Sequence, residues 1–170
     1  KNASNTPIFF NNLAGIGFDG YVVSKVNKYK HIGALAYLFG ALIGLFSFNT
    51  FHSKVSVNSK EISGKTLMVL IGLWQYSRGG MQLTRASNPF DGLFDVTIAK
   101  DFSKFEIIKN VAKLFNGKIT DHKKIIVLKT SSISIEINQE FKPYIQADGE
   151  LIDSGHIEVS IIPKAFLFYC

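Results

Sequence analysis

The residues of this chain with types and spacing suited to chemistry are carboxylates next to glycine. Asp148-Gly149-Glu150 closes the strand-like run Tyr144-Ile145-Gln146-Ala147, and two more Asp-Gly pairs, Asp19-Gly20 and Asp91-Gly92, end glycine-rich, weakly charged segments. Each pair is a turn dipeptide in its own right, because glycine accepts the positive φ of a tight turn, so a plain turn is the competing reading at all three. Acidic turns gathered at one end of a β-structure would suit phosphoryl transfer. That reaction needs a base at the accepting hydroxyl and cations against the phosphate charge, with positioning supplying most of the rate. Asp148 is the candidate base, a carboxylate at a strand end beside a glycine that lets substrate approach closely, with Glu150 next to it to hold water or Mg²⁺. Around Gly92, the Asp91 and Asp95 carboxylates with the Leu93 carbonyl can ligate a divalent ion, or simply form a turn entering a strand. Asp19 either hydrogen-bonds a substrate hydroxyl or satisfies its own backbone.

Mostly strands must position these groups. Short apolar or alternating runs predict strands over Ile8–Asn12, Phe51–Val57, Lys65–Leu73, Phe94–Ala99, Lys124–Leu128, Ser132–Ile137, Tyr144–Ala147, Ile157–Ile162 and Phe166–Tyr169. Lys65–Leu73 is nearly all apolar, which predicts a central strand. An amphipathic helix is predicted over Ser103–Phe115, capped by Asp101 or Ser103 and followed by Gly117. Ile32–Phe48 is apolar and uncharged, but it is too short to span hydrocarbon and carries three glycines, so it reads as a buried core helix. Many strands with few helices predict a mainly β (α+β), β-sandwich-like domain with two or three helices.

At 170 residues and 46% hydrophobic, the chain can bury a real core as one domain over 1–170. The net charge of +6 rests on lysine, since Arg78 and Arg85 are the only arginines. Base readers lean on arginine forks, so no nucleic-acid partner is expected, whereas diffuse lysine suits an anionic membrane surface or an anionic substrate. Lys25, Lys28 and Lys30 form the densest basic cluster, which is equally a solvated helix face. The single cysteine, Cys170, permits no intrachain disulfide and favours a reducing compartment, and the four histidines lack zinc-site spacing. With a polar start and no initiator methionine, the chain reads as part of a longer protein.

A resemblance adds to this reading. It is carried in order by Phe10, Asn12 and Ala14-Gly15-Ile16-Gly17-Phe18-Asp19, then Gly33 to Tyr37, Gly79-Gly80-Met81 and Asp91-Gly92-Leu93-Phe94-Asp95-Val96. It continues through Leu114-Phe115-Asn116-Gly117-Lys118 and Asp148-Gly149-Glu150 to Ile162-Pro163-Lys164-Ala165. The sequence resembles the C-terminal domain of the bacterial diacylglycerol kinase and lipid kinase family, whose relatives include sphingosine and ceramide kinases. The resemblance implies a lipid-side lobe, with ATP as co-substrate and Mg²⁺ as cofactor, that partners an N-terminal nucleotide-binding lobe carrying Gly-Gly-Asp-Gly-Thr, a motif this chain lacks. It also implies that Asp148 is the catalytic base, that Asp91, Leu93 and Asp95 form a magnesium loop, that Asp19 meets the lipid head group, and that Gly79 and Gly80 approach substrate through their backbone. The chain departs from the family pattern at Arg78, where a glycine is usual, and at Gln75-Tyr76-Ser77. The expected setting is cytoplasmic and peripheral at the membrane surface, with a homodimer among the open oligomeric states. Two alternatives stand beside the lipid kinase: an NAD kinase-like lobe, and a non-catalytic lipid-binding β-domain whose acids are structural.

Overall fold

The computed structural model describes residues 7–26, 44, 46–77, 80–138, 144–152 and 156–165. Among them are nine strands: β1 (Leu13–Gly17), β2 (Phe51–Val57), β3 (Lys60–Gly72), β4 (Phe94–Lys100), β5 (Ile125–Thr130), β6 (Ser132–Ile137), β7 (Ile145–Ala147), β8 (Glu150–Ile152) and β9 (Ile157–Ser160). Two α-helices, α1 (Phe18–Val26) and α2 (Lys104–Asn110), and two 3-10 turns, η1 (Val111–Leu114) and η2 (Lys118–Asp121), complete them.

Every strand pairing is antiparallel, and the long β3 belongs to both halves of the fold. Its C-terminal half lies between β1 and β4, with β7 and β8 beyond β1 and β5 beyond β4. Its N-terminal half pairs with β2, which continues through β6 to β9. The change-over is marked by Gly64, at a φ of 133° that side chains avoid, and by an irregularity between Thr66 and Met68. The halves close on one apolar core, in which Ile16, Val69, Val96 and Ile98 share a cluster with Val55, Ile133, Ile135 and Ile157. A smaller cluster of Leu13, Leu70, Met81, Leu83 and Ile119 covers the other face of β3. Val69, Leu70 and Ile71 are therefore all fully buried, which is why this strand is continuously apolar, while β2 faces one core and alternates. The result is mainly β and sandwich-like, as expected.

Several elements differ from the sequence reading. The first strand is Leu13–Gly17, not Ile8–Asn12, because β3 and β7 hydrogen-bond both edges of the glycine-rich run and so override its low strand propensity. Asp19 belongs to helix α1 and not to a turn. The predicted helix over Ser103–Phe115 is α2 followed by η1. Its cap is Ser103, in a capping box: the Ser103 hydroxyl accepts from Glu106 N at 3.3 Å and Glu106 Oε2 accepts from Ser103 N at 2.8 Å. An unforeseen strand, β8, follows the Asp148-Gly149 turn directly, and β9 stops at Ser160. Most of Ile32–Phe48, the terminal Phe166–Tyr169 strand, Arg78 and Gly79 lie outside the described residues, although Gly44, Phe46 and Ser47 are helical. No described helix is long and apolar enough to cross a membrane.

Candidate functional site

Asp148 and Gly149 form the two-residue turn between β7 and β8, with φ of 49° and 86°. Both residues are left-handed, as a tight hairpin of this twist requires, and an aspartate there is tolerated because its short side chain bonds locally. Here it bonds to another strand's entry. Asp148 Oδ1 accepts from Asn12 N (2.9 Å) and Leu13 N (3.0 Å), Oδ2 accepts from Asn11 N (2.7 Å), and Asp148 N donates to Leu13 O (2.9 Å). Three successive backbone N–H groups thus converge on one carboxylate, the arrangement by which main chain holds an anion.

Asp19 joins this turn through Gln146. Gly149 N donates to Gln146 Oε1 at 2.7 Å, which leaves Gln146 Nε2 to donate to Asp19 Oδ2 at 2.6 Å. Both side chains are buried. The Asp19 carboxylate lies over β1 at Gly15, where any Cβ would collide with Asp19 Oδ2, so this glycine is required by close approach. Asn12, Asp19, Ser77, Gln146, Asp148 and Gly149 line one cleft of about 260 Å³. Asn12 Oδ1 is buried with no hydrogen-bond partner among the described residues. Ser77 is set there by a turn in which Gly80 N donates to Ser77 O and Ser77 N to Met81 O, with Gly80 at a φ of 79°. Gly80 does not line the cleft, and Glu150 is exposed outside it.

Asp95 lies at the same end of the sheet as Asp148. It pairs with Gly72, Gly72 pairs with Leu13, and Leu13 meets Asp148, a separation of three strand spacings or roughly 14 Å. The structure therefore brings Asp19 and Asp148 together and sets the Asp91–Asp95 loop apart. Asp91 Oδ1 accepts from Leu93 N (3.0 Å) and Oδ2 from Lys129 Nζ (2.7 Å). The Lys129 ammonium holds the Asp91 carboxyl below the usual carboxylate range, aided by Leu93 N–H and opposed by burial, and Lys129 is raised in return, chiefly by Asp91. Lys129 also faces Asp95 across the β4–β5 ladder. Burial pushes the Asp95 carboxyl above its ordinary range; the Ser87 hydroxyl and Lys129 oppose this and Asp91 adds to it. Neither Asp95 oxygen has a hydrogen bond of good geometry, and the Ser87 hydroxyl donates instead to Gly72 O at 3.3 Å.

Asp91, Asp95 and the Leu93 carbonyl are oxygen donors of the kind a hard divalent cation takes, and the Lys129 ammonium is already drawn to Asp91. The described residues contain no cluster of three or more His, Cys, Asp or Glu side chains, so carbonyls and water would complete such a shell.

Sequence reasoning missed Asn12, Ser77 and Gln146. The one available signal was Gln146 itself, an amide at an inward position of an otherwise apolar strand, where burial demands partners.

The profile of the YegS C-terminal NAD kinase beta sandwich-like domain matches residues 12–170. Among curated proteins, the uncharacterized protein sll0036 of Synechocystis is 24% identical over 164 residues, 90% of this chain and 36% of that protein. A Staphylococcus carnosus protein named as a lipid kinase is 25% identical, covering 93% of this chain and 52% of its own length. The diacylglycerol kinase of Mycobacterium tuberculosis strain H37Rv is 22% identical, covering 92% and 50%. This chain thus spans about half the length, or less, of these relatives. A crystal structure of a diacylglycerol kinase from Bacillus anthracis superposes with a TM-score of 0.58 at 19% identity, over 91% of this chain and 47% of that one, a likeness of fold. With nearly the whole chain matched by that profile and the strand order of a sandwich on the page, the chain belongs to the YegS C-terminal NAD kinase beta sandwich-like domain family.

Proposed function

We propose that this chain is the lipid-side lobe of an ATP-dependent lipid kinase of the diacylglycerol kinase type, which phosphorylates a lipid hydroxyl at an anionic membrane surface on the cytoplasmic side. The observation that carries the reading is Asp19, tied through Gln146 to the Gly149 N–H of the Asp148 turn, lining one cleft with Asp148 beside the orphaned Asn12 acceptor. A lipid hydroxyl is donor and acceptor at once and suits a site rich in acceptors. Asp148 acts as general base. Its Oδ1 is committed to two N–H groups, so Oδ2, with one N–H, takes the proton. Asp19 orients the head group, and Gln146 ties Asp19 to the Gly149 N–H beside Asp148. The Gly80 turn, which sets Ser77 in the cleft, borders the approach of substrate, and Glu150 meets water or Mg²⁺ once the second lobe closes the cleft. Mg²⁺, held by Asp91, the Leu93 carbonyl and Asp95, would brace the loop that enters β4, apart from the Asp148 cleft. ATP and the remaining cations enter with an N-terminal nucleotide-binding lobe, a reading supported by relatives about twice as long as this chain.

The test is transfer of labelled phosphate from ATP to diacylglycerol by the full reading frame that contains this chain, with NAD as the second acceptor because the family description names the NAD kinase sandwich. Label in phosphatidic acid supports the proposal. Label in NADP alone, or vesicle binding with no transfer to either acceptor, overturns it.

A further inference from the structure

We infer that the outward face of α2 and η1 is a docking surface for an anionic lipid bilayer; this deepens the lipid-kinase reading by placing its membrane contact. Helix α2 exposes apolar residues where a solvated helix would carry polar ones. Phe105 is 74% exposed and Ile108 45%, and Ala112 is exposed one turn on. At about 100° per residue, Phe105 and Ile108 fall on one stripe of α2, and Ala112 is exposed beyond it on η1. Lys104 lies on one side of that stripe and Lys109 on the other, with Lys113 following on η1, all exposed. Phe46, 63% exposed, extends the apolar patch beyond Lys104, whose Nζ stands 5.9 Å from the Phe46 ring and donates to Phe46 O at 2.6 Å.

The opposite face explains why the stripe points outward. Asn110 is buried and bonds Glu106 O at 2.7 Å, and Ile107 packs against the core. The only acid on α2, Glu106, is occupied by the Ser103 cap and by Lys124 Nζ at 2.6 Å. Asp101 and Asp121 are exposed but lie outside α2 and η1. A central apolar row flanked by lysines, with no free carboxylate within it, is the pattern of an interfacial helix: the rings enter the headgroup boundary while the ammonium groups reach anionic phosphates. A protein partner would meet the same rings, but three flanking lysines complement a uniformly anionic plane.

The full reading frame should sediment with vesicles of phosphatidylcholine containing phosphatidylglycerol, less so at high salt and far less with phosphatidylcholine alone. Phe105→Ser combined with Ile108→Ser should weaken that binding at least about tenfold, and Lys109→Glu with Lys113→Glu should abolish the anionic preference. Melting temperatures should be unchanged, because all four side chains are exposed. Wild-type vesicle binding by the apolar double variant overturns the inference. So does a double variant that loses self-association or contact with another lobe while keeping vesicle binding. Phosphorylation of a short-chain, monomeric diacylglycerol separates this from the functional reading. If variants lose vesicle binding and keep that activity, both stand; if wild type binds vesicles through α2 yet phosphorylates no diacylglycerol, docking stands and the kinase falls.

Discussion

Replacing Asp148 by asparagine should destabilise the fold before any question of catalysis arises. Asparagine accepts the left-handed backbone at this turn, where φ is 49°, so the turn itself is preserved. Its amide offers one oxygen in place of two. With that oxygen at the Oδ1 position, between Asn12 and Leu13 N–H, the new NH₂ faces Asn11 N, which donates to Oδ2 at 2.7 Å in the native protein. One charge-assisted bond is lost and two become neutral. A bond to a charged group contributes about 1.5–3 kcal/mol and a neutral one about 0.5–1.5, so partial exposure of these groups brings the total to about 2–4 kcal/mol. At roughly 2–4 °C per kcal/mol for a domain of this size, melting followed by circular dichroism at neutral pH should fall by about 5–15 °C. A fall of under about 1 °C would mean that the clamp between the β7–β8 turn and the entry to β1 carries no weight, contrary to the role of charge-assisted bonds assumed here.

Other expectations follow from the charged groups. Glu106 is held down to about 2, first by Lys124 and then by the Ser103 cap. A depressed folded-state value means that its contribution is present above the ordinary 4.5 and is lost as pH falls through about 2, so the stability gap between wild type and Glu106→Gln in urea should close over that window. Asp95 has the opposite sign. Its raised carboxyl makes the charged form costly in the native state at neutral pH, a cost relieved on acidification, so Asp95→Asn should gain on wild type as pH rises from 3 to 7, and a gap independent of pH would refute the assignment. Millimolar Mg²⁺ should raise the melting temperature, Asp91→Asn should abolish the increment and Lys129→Met should enlarge it; a melting temperature flat in Mg²⁺ leaves the loop a plain turn.

The strands were legible where burial is one-sided or complete. Phe51–Val57 alternates because only one face meets the core, and the apolar run to Gly72 is central because both faces are covered. β1 was not legible, since glycines weaken a strand pattern and the need for them comes from packing: the Asp19 carboxylate at Gly15, and the distant Phe51 and Leu67 O at Gly17. The same holds for the candidate site. Asp148 and Asp19 were visible as Asp-Gly turns, but the Gln146–Asp19 bond that brings Asp19 to the Asp148 turn spans 127 residues of chain, and no local pattern encodes it. Asp91 was legible as a loop acid, while its pairing with Lys129 depends on the β4–β5 register. The amphipathic pattern of Ser103–Phe115 did not say which residues face the core: Asn110 is buried while Phe105 and Ile108 are exposed.

The most direct measurement is kcat for diacylglycerol phosphorylation by the full reading frame carrying Asp148→Asn, taken at a temperature where its circular dichroism matches wild type. The account predicts a fall of about 10²- to 10⁴-fold, the usual contribution of a general base, with the KM for ATP unchanged. A folded variant that keeps more than about half of wild-type kcat, a loss far too small for a missing base, would contradict it and leave Asp148 as a structural clamp alone.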